Sequence, residues 1–392
     1  MKIFVLCYEY PPLGGGGGRV AQSLAAQMVQ RGHEVRVQTA ALGWHSLREQ
    51  INGVEISRTA SGRRAPDTCR VHEMAAYCAT SFFPTLRHIR TWKPDVIHAH
   101  FAMPTGLLAW AVHRLTHVPY VLTAHLGDVP GGVPGQTAAL FKIIGPLARQ
   151  VWHHAAATTA VSSFVQDLAE RAYGRKVVRI FNGLDLGAEG VRCPVSDVGT
   201  PPHLVFVGRF SEQKQPQLFI EALALLREQP WRATLIGDGP HRSAVVESIA
   251  SHGLGERVHL TGWLPAEQVQ SILAAADALV MPSLSEGLPV AAIEALKHGL
   301  AIVASDIPGV RDVLDDGVNG RVFPVGDSRS LAQQLESLIG SQETFLAMKR
   351  ASWEKARTFD LTRIASEYEQ VLSTASRSSL APRHQSTKAP GR

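Results

Sequence analysis

The chain has 392 residues, a length that allows two domains with sizeable cores. Its hydrophobic fraction of 45% and charged fraction of 19% are ordinary for a globular protein. The last nineteen residues carry four basic side chains and no acid, so the rest of the chain has a formal net charge of about +1 rather than +5. The basic character is therefore confined to the tail and does not indicate nucleic-acid binding.

The four cysteines show neither CxxC spacing nor clustered histidine partners, which argues against a disulfide framework or a zinc site. The apolar run at residues 2–7 is too short for a signal peptide or a membrane span, so we expect a cytoplasmic protein. Residues 374–392 have almost no large apolar side chains and are predicted to be a disordered basic tail.

The first half alternates strands and helices. A buried strand at residues 2–8 is followed by a glycine loop at 13–19, a helix up to residue 31 and a strand at 34–39. Further strands are predicted at 95–100, 120–124 and 157–161, with a helix at 105–116. This alternation is typical of a doubly wound parallel sheet.

The second half repeats the pattern after a Gly-, Pro-, Asp- and Ser-rich linker at residues 187–202. Strands are predicted at 203–208, 233–236, 258–260, 278–281 and 301–304, separated by helices at 218–228, 243–252, 266–275 and 290–298. The predicted fold class is α/β, with Rossmann-like domains at 1–186 and 203–354 facing each other across a cleft. A last helix at 341–373 is expected to cross back onto the first domain from about residue 355.

Two acids, Glu286 and Glu294, flank a Gly-Leu-Pro turn between a predicted strand and a predicted helix. Pro289 suits the first turn of a helix, and the backbone amides of residues 288–292 would be free to face an anion. Carboxylates on either side of a phosphate can accept hydrogen bonds from the hydroxyls of a nucleotide sugar. The alternative is that Glu286 is a solvated loop acid and Glu294 a partner of its own helix dipole.

A glycine loop follows the first strand of the first half, and two cations follow the first strand of the second half. Arg209 and Lys214 come after the strand at 203–208, where they suit a diphosphate. The glycine loop would let backbone amides approach a phosphate, although it is neither a strict dinucleotide fingerprint nor a Walker A loop. A flexible surface turn remains the alternative for this loop.

Three histidines stand at predicted strand ends. His98 and His100 end one strand, and His125 follows another. No metal site is expected, because no nearby carboxylate spacing resembles one and the chain has no Asp-x-Asp motif. A contact with sugar or acceptor is favoured for His125, while ordinary packing is an equal alternative for His98 and His100.

These motifs resemble, in their order, those of glycosyltransferase family 4, the glycogen-synthase-like group 1 glycosyltransferases. They comprise the glycine loop, Thr-Ala-His-Leu-Gly-Asp at 123–128, Asn-Gly-Leu-Asp at 182–185, Gly208-Arg209 with Lys214, Ile-Gly-Asp-Gly-Pro at 236–240, Thr-Gly-Trp at 261–263 and the segment 286–294. The resemblance covers the chain to about residue 368 and implies retaining enzymes of the GT-B fold. The glycine loop is longer than is typical, and Gln215-Pro216 replaces a common Lys-Gly pair.

The resemblance implies a role for each matching residue. Catalytic roles fall on His125, Arg209, Lys214 and Glu286. Donor-binding roles fall on Gly15, Gly16, Gly17, Gly18, Asn182, Gly208, Gly237, Gly262, Trp263, Leu264, Gly287, Leu288, Pro289, Val290 and Glu294, of which Glu294 would bind the ribose and residues 262–264 would line the base. Acceptor-side roles fall on Asp128 and, where packing does not account for them, on His98 and His100. No metal and no cofactor is implied beyond the donor substrate, and a UDP-sugar is slightly preferred over GDP-mannose.

The implied reaction is transfer of a hexose, with retention, from a nucleotide-diphosphate sugar to a hydroxyl of a sugar, lipid-linked or small-molecule acceptor in cell-surface glycan or glycolipid biosynthesis. The alternatives are a sugar-nucleotide epimerase of the same fold and a catalytically idle binding protein. Peripheral contact with the inner face of the membrane is considered for residues 139–153, which mix apolar and basic side chains, although Gly145-Pro146 is expected to interrupt a long helix there. A buried core helix is the alternative for that segment, and the oligomeric state stays open.

Overall fold

The computed structural model of the protein describes residues 1–66, 68–187 and 197–378, and for residues 134–140 and 378 it describes the backbone alone. Most of the predicted linker and of the predicted basic tail therefore lies outside the described residues. Two sheets organise the rest. The first contains the strands up to residue 179 and the second those from residue 203, and we refer to them with their helices as the N-terminal and C-terminal domains.

The N-terminal sheet has the strand order β3-β4-β2-β1-β5-β6-β7-β8. Its strands are β1 Lys2–Leu6, β2 Glu34–Leu42, β3 Leu47–Ile51, β4 Val54–Arg63, β5 Val96–His100, β6 Tyr120–Ala124, β7 Ala157–Ala160 and β8 Val178–Arg179. All pairs are parallel except β3 with β4. Neither strand of this edge hairpin was predicted. Strand β3 is largely exposed and carries charged rather than apolar alternation, whereas β4 is mostly buried but contains many polar residues. The Asn52-Gly53 turn of the hairpin, with both residues at positive φ, is the sequence signal that could have revealed it.

Within the described part of the N-terminal half, five α-helices accompany this sheet. They are α1 Gly16–Gln30, α2 Val71–Trp92, α3 Leu107–Thr116, α4 Pro134–His154 and α5 Ser163–Tyr173. Two expectations are corrected. Helix α1 begins inside the glycine run, so residues 16–19 form its first turn rather than a loop. Helix α4 continues through Pro146, because Ala148, Val151 and Trp152 are buried in the core and hold the chain in place on the far side of the proline.

The C-terminal sheet has the order β11-β10-β9-β12-β13-β14 and is parallel throughout. Its strands are β9 His203–Val207, β10 Arg232–Ile236, β11 Val258–Gly262, β12 Ala278–Met281, β13 Ala301–Ser305 and β14 Gly320–Phe323. From β9 the chain winds outward to β11 and then returns to β12 on the other side of β9. The crevice at such a switch point lies at the carboxyl ends of β9 and β12. The segments that carry Arg209, Lys214 and Glu286, residues 208–214 and 282–289, directly follow these two strands.

The helices of the second half are α6 Pro216–Leu225, α7 Arg242–Ser251, α8 Ala266–Ala274, α9 Val290–Lys297, α10 Ser328–Ile339, α11 Gln342–Ala356 and α12 Leu361–Ser378. The single helix predicted at 341–373 is therefore two helices separated by a 3-10 turn, Arg357–Phe359. The break occurs where the chain pairs with Leu184, which donates its N–H to Phe359 and accepts the N–H of Leu361. Asp360 then caps α12 through the N–H of Arg363.

Helix α12 packs on α1, β5 and β6 of the N-terminal domain. It runs to Ser378, so the predicted start of the tail at residue 374 is wrong. Ala375 is buried against the N-terminal domain and keeps this end of the helix in place. Among the described residues, no helix is both long and apolar enough to cross a membrane.

One buried ion pair ties α11 to the C-terminal sheet. Lys349 Nζ lies 2.5 Å from Asp277 Oδ1, and the two side chains are 6% and 5% exposed. Asp277, which directly precedes β12, also accepts the N–H of His203 at 2.8 Å at the start of β9. The carboxylate therefore aligns the two strands whose far ends form the crevice, and Lys349 neutralises it.

We expect Lys349→Met to lower the free energy of unfolding by about 3–5 kcal/mol, because it leaves the Asp277 charge buried without its cation. Lys355→Met is the matched control on the same helix. Its partner Asp315 is 50% exposed, so the loss is expected to be about 1 kcal/mol or less. Urea unfolding of both variants checks the difference, and equal losses would contradict this account of the buried pair.

Candidate active site

The carboxyl ends of both sheets converge on one cleft. Strand β9 leads to Arg209 and Lys214, and β12 leads through a loop to Glu286 and helix α9. From the other domain, β1 leads to the start of α1, and β6 leads directly to His125. The predicted catalytic residues therefore follow strand ends that meet at the same place, as parallel sheets arrange them.

Glu286 is 6% exposed, which excludes the alternative of a solvated loop acid. Its Oε1 accepts from Lys214 Nζ at 2.6 Å and from Ser283 Oγ at 2.7 Å. Gly309, after β13, supports the loop from behind: a Cβ at that position would overlap the backbone of Glu286. The cation predicted for the diphosphate and the acid predicted for the sugar thus form one ion pair.

Glu294 lies in the second turn of α9 and is 4% exposed. Its Oε1 accepts from Arg19 Nη1 at 3.2 Å, and its Oε2 is buried without a hydrogen-bond partner. Burial raises the pKa of Glu294, while the positive charges of Arg19 and Lys297 act in the opposite direction. Glu294 therefore pairs with a cation of the other domain, and the alternative that it serves only its own helix dipole does not account for this contact.

His125 is buried, and its ring stacks on Phe101 with centroids 4.3 Å apart. Burial lowers the pKa of His125 to about 4, so the imidazole is neutral near pH 7. Its Nε2 is buried without a partner and is available to a hydroxyl. Gly17 allows α1 to approach this pair closely, because a Cβ there would lie 2.8 Å from Phe101 Cζ and 3.3 Å from His125 Nδ1.

Asp128 holds the segment that carries His125. Its carboxylate accepts the backbone N–H of Ala102 at 2.7 Å, of Met103 at 3.4 Å and of His125 at 2.8 Å. Burial raises the pKa of Asp128 to about 7, although the three N–H donors favour the ionised form. Both oxygens are engaged by backbone, so Asp128 fixes the position of His125, a role that the sequence pattern did not indicate.

His98 and His100 are 2% and 1% exposed, and the structure favours the packing alternative for them. His98 hydrogen-bonds Thr123 Oγ1 at 2.8 Å, and its ring lies 5.2 Å from that of Tyr368 on α12. The ring of His100 lies 4.3 Å from His98 and 5.9 Å from His125. Burial lowers the pKa of His98 to about 3 and that of His100 well below its usual value, so all three rings are neutral near pH 7.

Most of the remaining predicted residues fall into two groups. Some meet across the cleft: Asn182 Nδ2 donates to the Leu288 carbonyl at 3.5 Å, a Cβ at Gly16 would lie 2.9 Å from Val290 Cγ2, and one at Gly287 would lie 2.9 Å from Leu126 Cβ. Others lie on the C-terminal domain alone: Gly208, Gly237, Gly262, Trp263, Leu264 and Pro289. Trp263 is 54% exposed at the end of the edge strand β11.

Sequence reasoning missed four residues of this site: Arg19, Phe101, Ser283 and Gly309. Arg19 directly follows the glycine run, and that position could have been read as part of the phosphate-binding turn. The other three have no local signal, since their contacts join segments that are distant in the chain or depend on loop conformation. The described residues contain no group of three His, Cys, Asp or Glu side chains that could hold a metal ion.

Two family models match the chain one after the other. The model for glycosyltransferase family 4 matches residues 14–188, and the model for glycosyl transferases group 1 matches residues 201–341. Together they cover well over half of the sequence and both domains of the cleft. The chain belongs to glycosyltransferase family 4, among the group 1 glycosyltransferases. This confirms the resemblance carried by the motifs.

Curated relatives of this glycosyltransferase include the putative teichuronic acid biosynthesis glycosyltransferase TuaC of Bacillus subtilis, 34% identical over 59% of this chain and 58% of that one. The chain thus spans somewhat more than half the length of that relative. The D-inositol 3-phosphate glycosyltransferase of Nocardia farcinica is 26% identical over 88% of this chain and 83% of the relative.

Solved structures show the same fold. Sucrose-phosphate synthase from Thermosynechococcus elongatus superposes with a TM-score of 0.79 at 19% identity, over 94% of this chain and 98% of that one. Anabaena HepE, solved in complex with UDP, has a TM-score of 0.73 at 20% identity, over 95% of this chain and 100% of that one. The predicted GT-B fold, two parallel-sheet α/β domains facing a cleft, is confirmed.

We expect Asp128→Asn in this glycosyltransferase to lower the free energy of unfolding by about 1–3 kcal/mol, because one backbone N–H would face an amide NH₂ instead of an oxygen. The position of the His125 ring, and with it the NMR signals of the ring, should change at the same time. Asp95→Asn is the control, since Asp95 accepts the N–H of Lys2 at 2.7 Å at an exposed site. Urea unfolding and the histidine ring signals in NMR spectra measure both effects. A wild-type His125 signal in Asp128→Asn would contradict the positioning role.

Proposed function

We propose that the protein is a retaining glycosyltransferase that moves a hexose from a nucleotide-diphosphate sugar to an acceptor hydroxyl. The observation that carries this proposal is the pair of buried carboxylates at the cleft, Glu286 and Glu294, each bound to a cation. Buried acids of this kind can accept hydrogen bonds from hydroxyls, and the cations beside them can neutralise a diphosphate. Membership in the group 1 glycosyltransferases supports the use of a nucleotide sugar.

Glu294 is assigned to the ribose, because its Oε2 is a buried acceptor without a donor. Glu286 and the amides of residues 287–290 are assigned to the transferred sugar and its phosphate. Lys214 and Arg209 are assigned to the diphosphate, where they stabilise the negative charge that develops on the leaving group. Asn182 from the N-terminal domain supports the same loop through the carbonyl of Leu288.

Retention is proposed through attack on the face that the leaving group vacates. The bond between the anomeric carbon and the phosphate oxygen breaks, and the acceptor oxygen bonds to the same face of that carbon. The acceptor proton passes to the phosphate oxygen. His125 is neutral near pH 7, so in this scheme it binds a sugar hydroxyl rather than supplying a proton. No metal is required in this proposal, since Arg209 and Lys214 carry the positive charge.

A uridine diphosphate hexose is the proposed donor, slightly ahead of guanosine diphosphate mannose. Support comes from a protein of the same fold, HepE, which is described in complex with UDP and with UDP-glucose. The proposed acceptor is a hydroxyl of a sugar, a lipid-linked or a small molecule in polysaccharide or glycolipid biosynthesis. The name of the Bacillus relative, a putative teichuronic acid biosynthesis enzyme, supports this class.

We also propose that the enzyme works in the cytoplasm, with peripheral contact to the inner face of the membrane where the acceptor is lipid-linked. Helix α4 supports this idea, because Ile143 is 80% exposed on a helix that also carries Lys142 and Arg149. Apolar and basic side chains on one amphipathic helix are suited to an anionic lipid surface.

We expect one nucleotide sugar from a panel of UDP- and GDP-hexoses to raise the thermal midpoint of the wild-type protein by mass action. Glu294→Ala should abolish that shift, because the ribose loses its acceptor. Glu354→Ala is the control, an exposed acid paired with Arg357 on the surface. With the donor identified, NMR of the anomeric proton of the product distinguishes retention from inversion.

Each alternative has its own outcome in this experiment. A donor that is converted to another nucleotide sugar without any acceptor would favour the epimerase. A donor that binds but is transferred to no acceptor would favour the idle binding protein. An inverted product would contradict the retaining reaction while leaving the transferase intact.

A further inference from the structure

Arg19 lies in the first turn of α1 and reaches across the cleft to α9. Its Nη1 donates to Oε1 of Glu294 at 3.2 Å, and the two side chains are 40% and 6% exposed. The acid is therefore enclosed, whereas the guanidinium stands on the open side of the pair. A side chain in this position can leave the carboxylate without crossing the protein core.

The carboxylate of Glu294 is only half used by Arg19. Oε2 is buried and has no hydrogen-bond partner. Buried polar atoms are nearly always paired in proteins, and an unpaired one at a cleft indicates a ligand that supplies the missing donor. A ribose offers two neighbouring hydroxyls, enough to occupy both oxygens of one carboxylate. The ribose would then compete with Arg19 for Oε1 of Glu294.

Arg19 also stands at the end of a helix where a cation is unfavourable. The N-terminus of α1 carries a partial positive charge, its cap residue Gly15 has no side chain that could accept from the first amides, and its first turn contains no acid. A Cβ at Gly15 would meet nothing within 4 Å, so the approach to these amides is open. Uncapped amides and a guanidinium at one open helix end form a site suited to an anion.

We propose that Arg19 is a donor-binding residue that exchanges one partner for another. In the empty cleft its guanidinium holds Glu294. When the nucleotide sugar binds, the ribose hydroxyls take the carboxylate and the guanidinium turns to the diphosphate beside the start of α1. This inference rests on the proposed function and adds to it a cation from the N-terminal domain, opposite Arg209 and Lys214.

Because Arg19 would bind Glu294 in the empty cleft and the diphosphate in the complex, its loss should affect a nucleoside diphosphate and a nucleoside monophosphate differently. Titration calorimetry compares a nucleoside diphosphate, UDP or GDP according to which binds, with the matching nucleoside monophosphate. Arg19→Ala should weaken the diphosphate about tenfold or more, the usual consequence of losing a charge-assisted hydrogen bond. The monophosphate should bind as well as before or more tightly, because its ribose no longer competes with Arg19 for Glu294.

Two further variants separate binding from structure. Arg19→Lys keeps the charge but loses the planar fork, so it should recover part of the affinity for the diphosphate. Arg31→Ala is the matched control: Arg31 caps the other end of α1 and pairs with Glu369 at 2.6 Å, far from the cleft residues. It should leave both affinities unchanged. Circular dichroism establishes that each variant is folded.

Equal losses for diphosphate and monophosphate in Arg19→Ala would overturn the inference, because Arg19 would then only shape the cleft. Unchanged affinity for the diphosphate would overturn it as well. A wild-type protein that binds neither ligand would be a separate outcome, visible before any variant is made. It would contradict the proposed function and, with it, the inference.

Discussion

The architecture of the cleft depends on one electrostatic constraint: a carboxylate removed from water needs a cation or several hydrogen-bond donors beside it. Glu286 obtains Lys214 and Ser283 from its own domain. Glu294 obtains Arg19 from the other domain. The first pair organises a loop, whereas the second joins α1 to α9 and so couples the charge of the site to the contact between the domains. In the proposed function, a ligand that supplies hydroxyls to Glu294 or takes up Arg19 would change both.

Glycines determine how closely the two domains approach. Gly16 and Gly287 face Val290 and Leu126 of the opposite domain at distances that leave no room for a side chain. Gly17 does the same against the rings of Phe101 and His125 within the N-terminal domain. The glycine run therefore serves packing at least as much as backbone flexibility. It brings the start of α1, with its free amides, against the start of α9.

Much of this arrangement is visible in the sequence, because it depends on local patterns. Alternating apolar runs and turns revealed most strands of both sheets, and the switch point between β9 and β12 follows from their order. The helix break at Asp360 is different, since it depends on pairing with Leu184, far away in the chain. The edge strand β3 is exposed and charged, so burial leaves no signature in its sequence.

The same distinction holds for the site. Residue types such as Arg209, Lys214 and the two glutamates indicate their chemistry by themselves, and their strand-end positions follow from the fold. Partners do not: nothing in the sequence says that Lys214 pairs with Glu286, or that Arg19 pairs with Glu294. The first pair is set by how two loops of the C-terminal domain pack together, and the second by the contact between domains. Asp128 illustrates the point, because its carboxylate is occupied by three backbone amides that a sequence does not display.

The charges of the cleft are unevenly divided between the two domains, and this division has a chemical consequence. His98, His100 and His125 form a row of neutral rings beneath the N-terminal face, since burial lowers the pKa of each. The cations lie opposite, on the loop after β9, with Arg19 at the boundary. A sugar between these faces would meet neutral hydrogen-bonding groups on one side and positive charge on the side of its phosphate. In the proposed reaction, the negative charge that develops on the leaving group would then be stabilised by the cations on the C-terminal side.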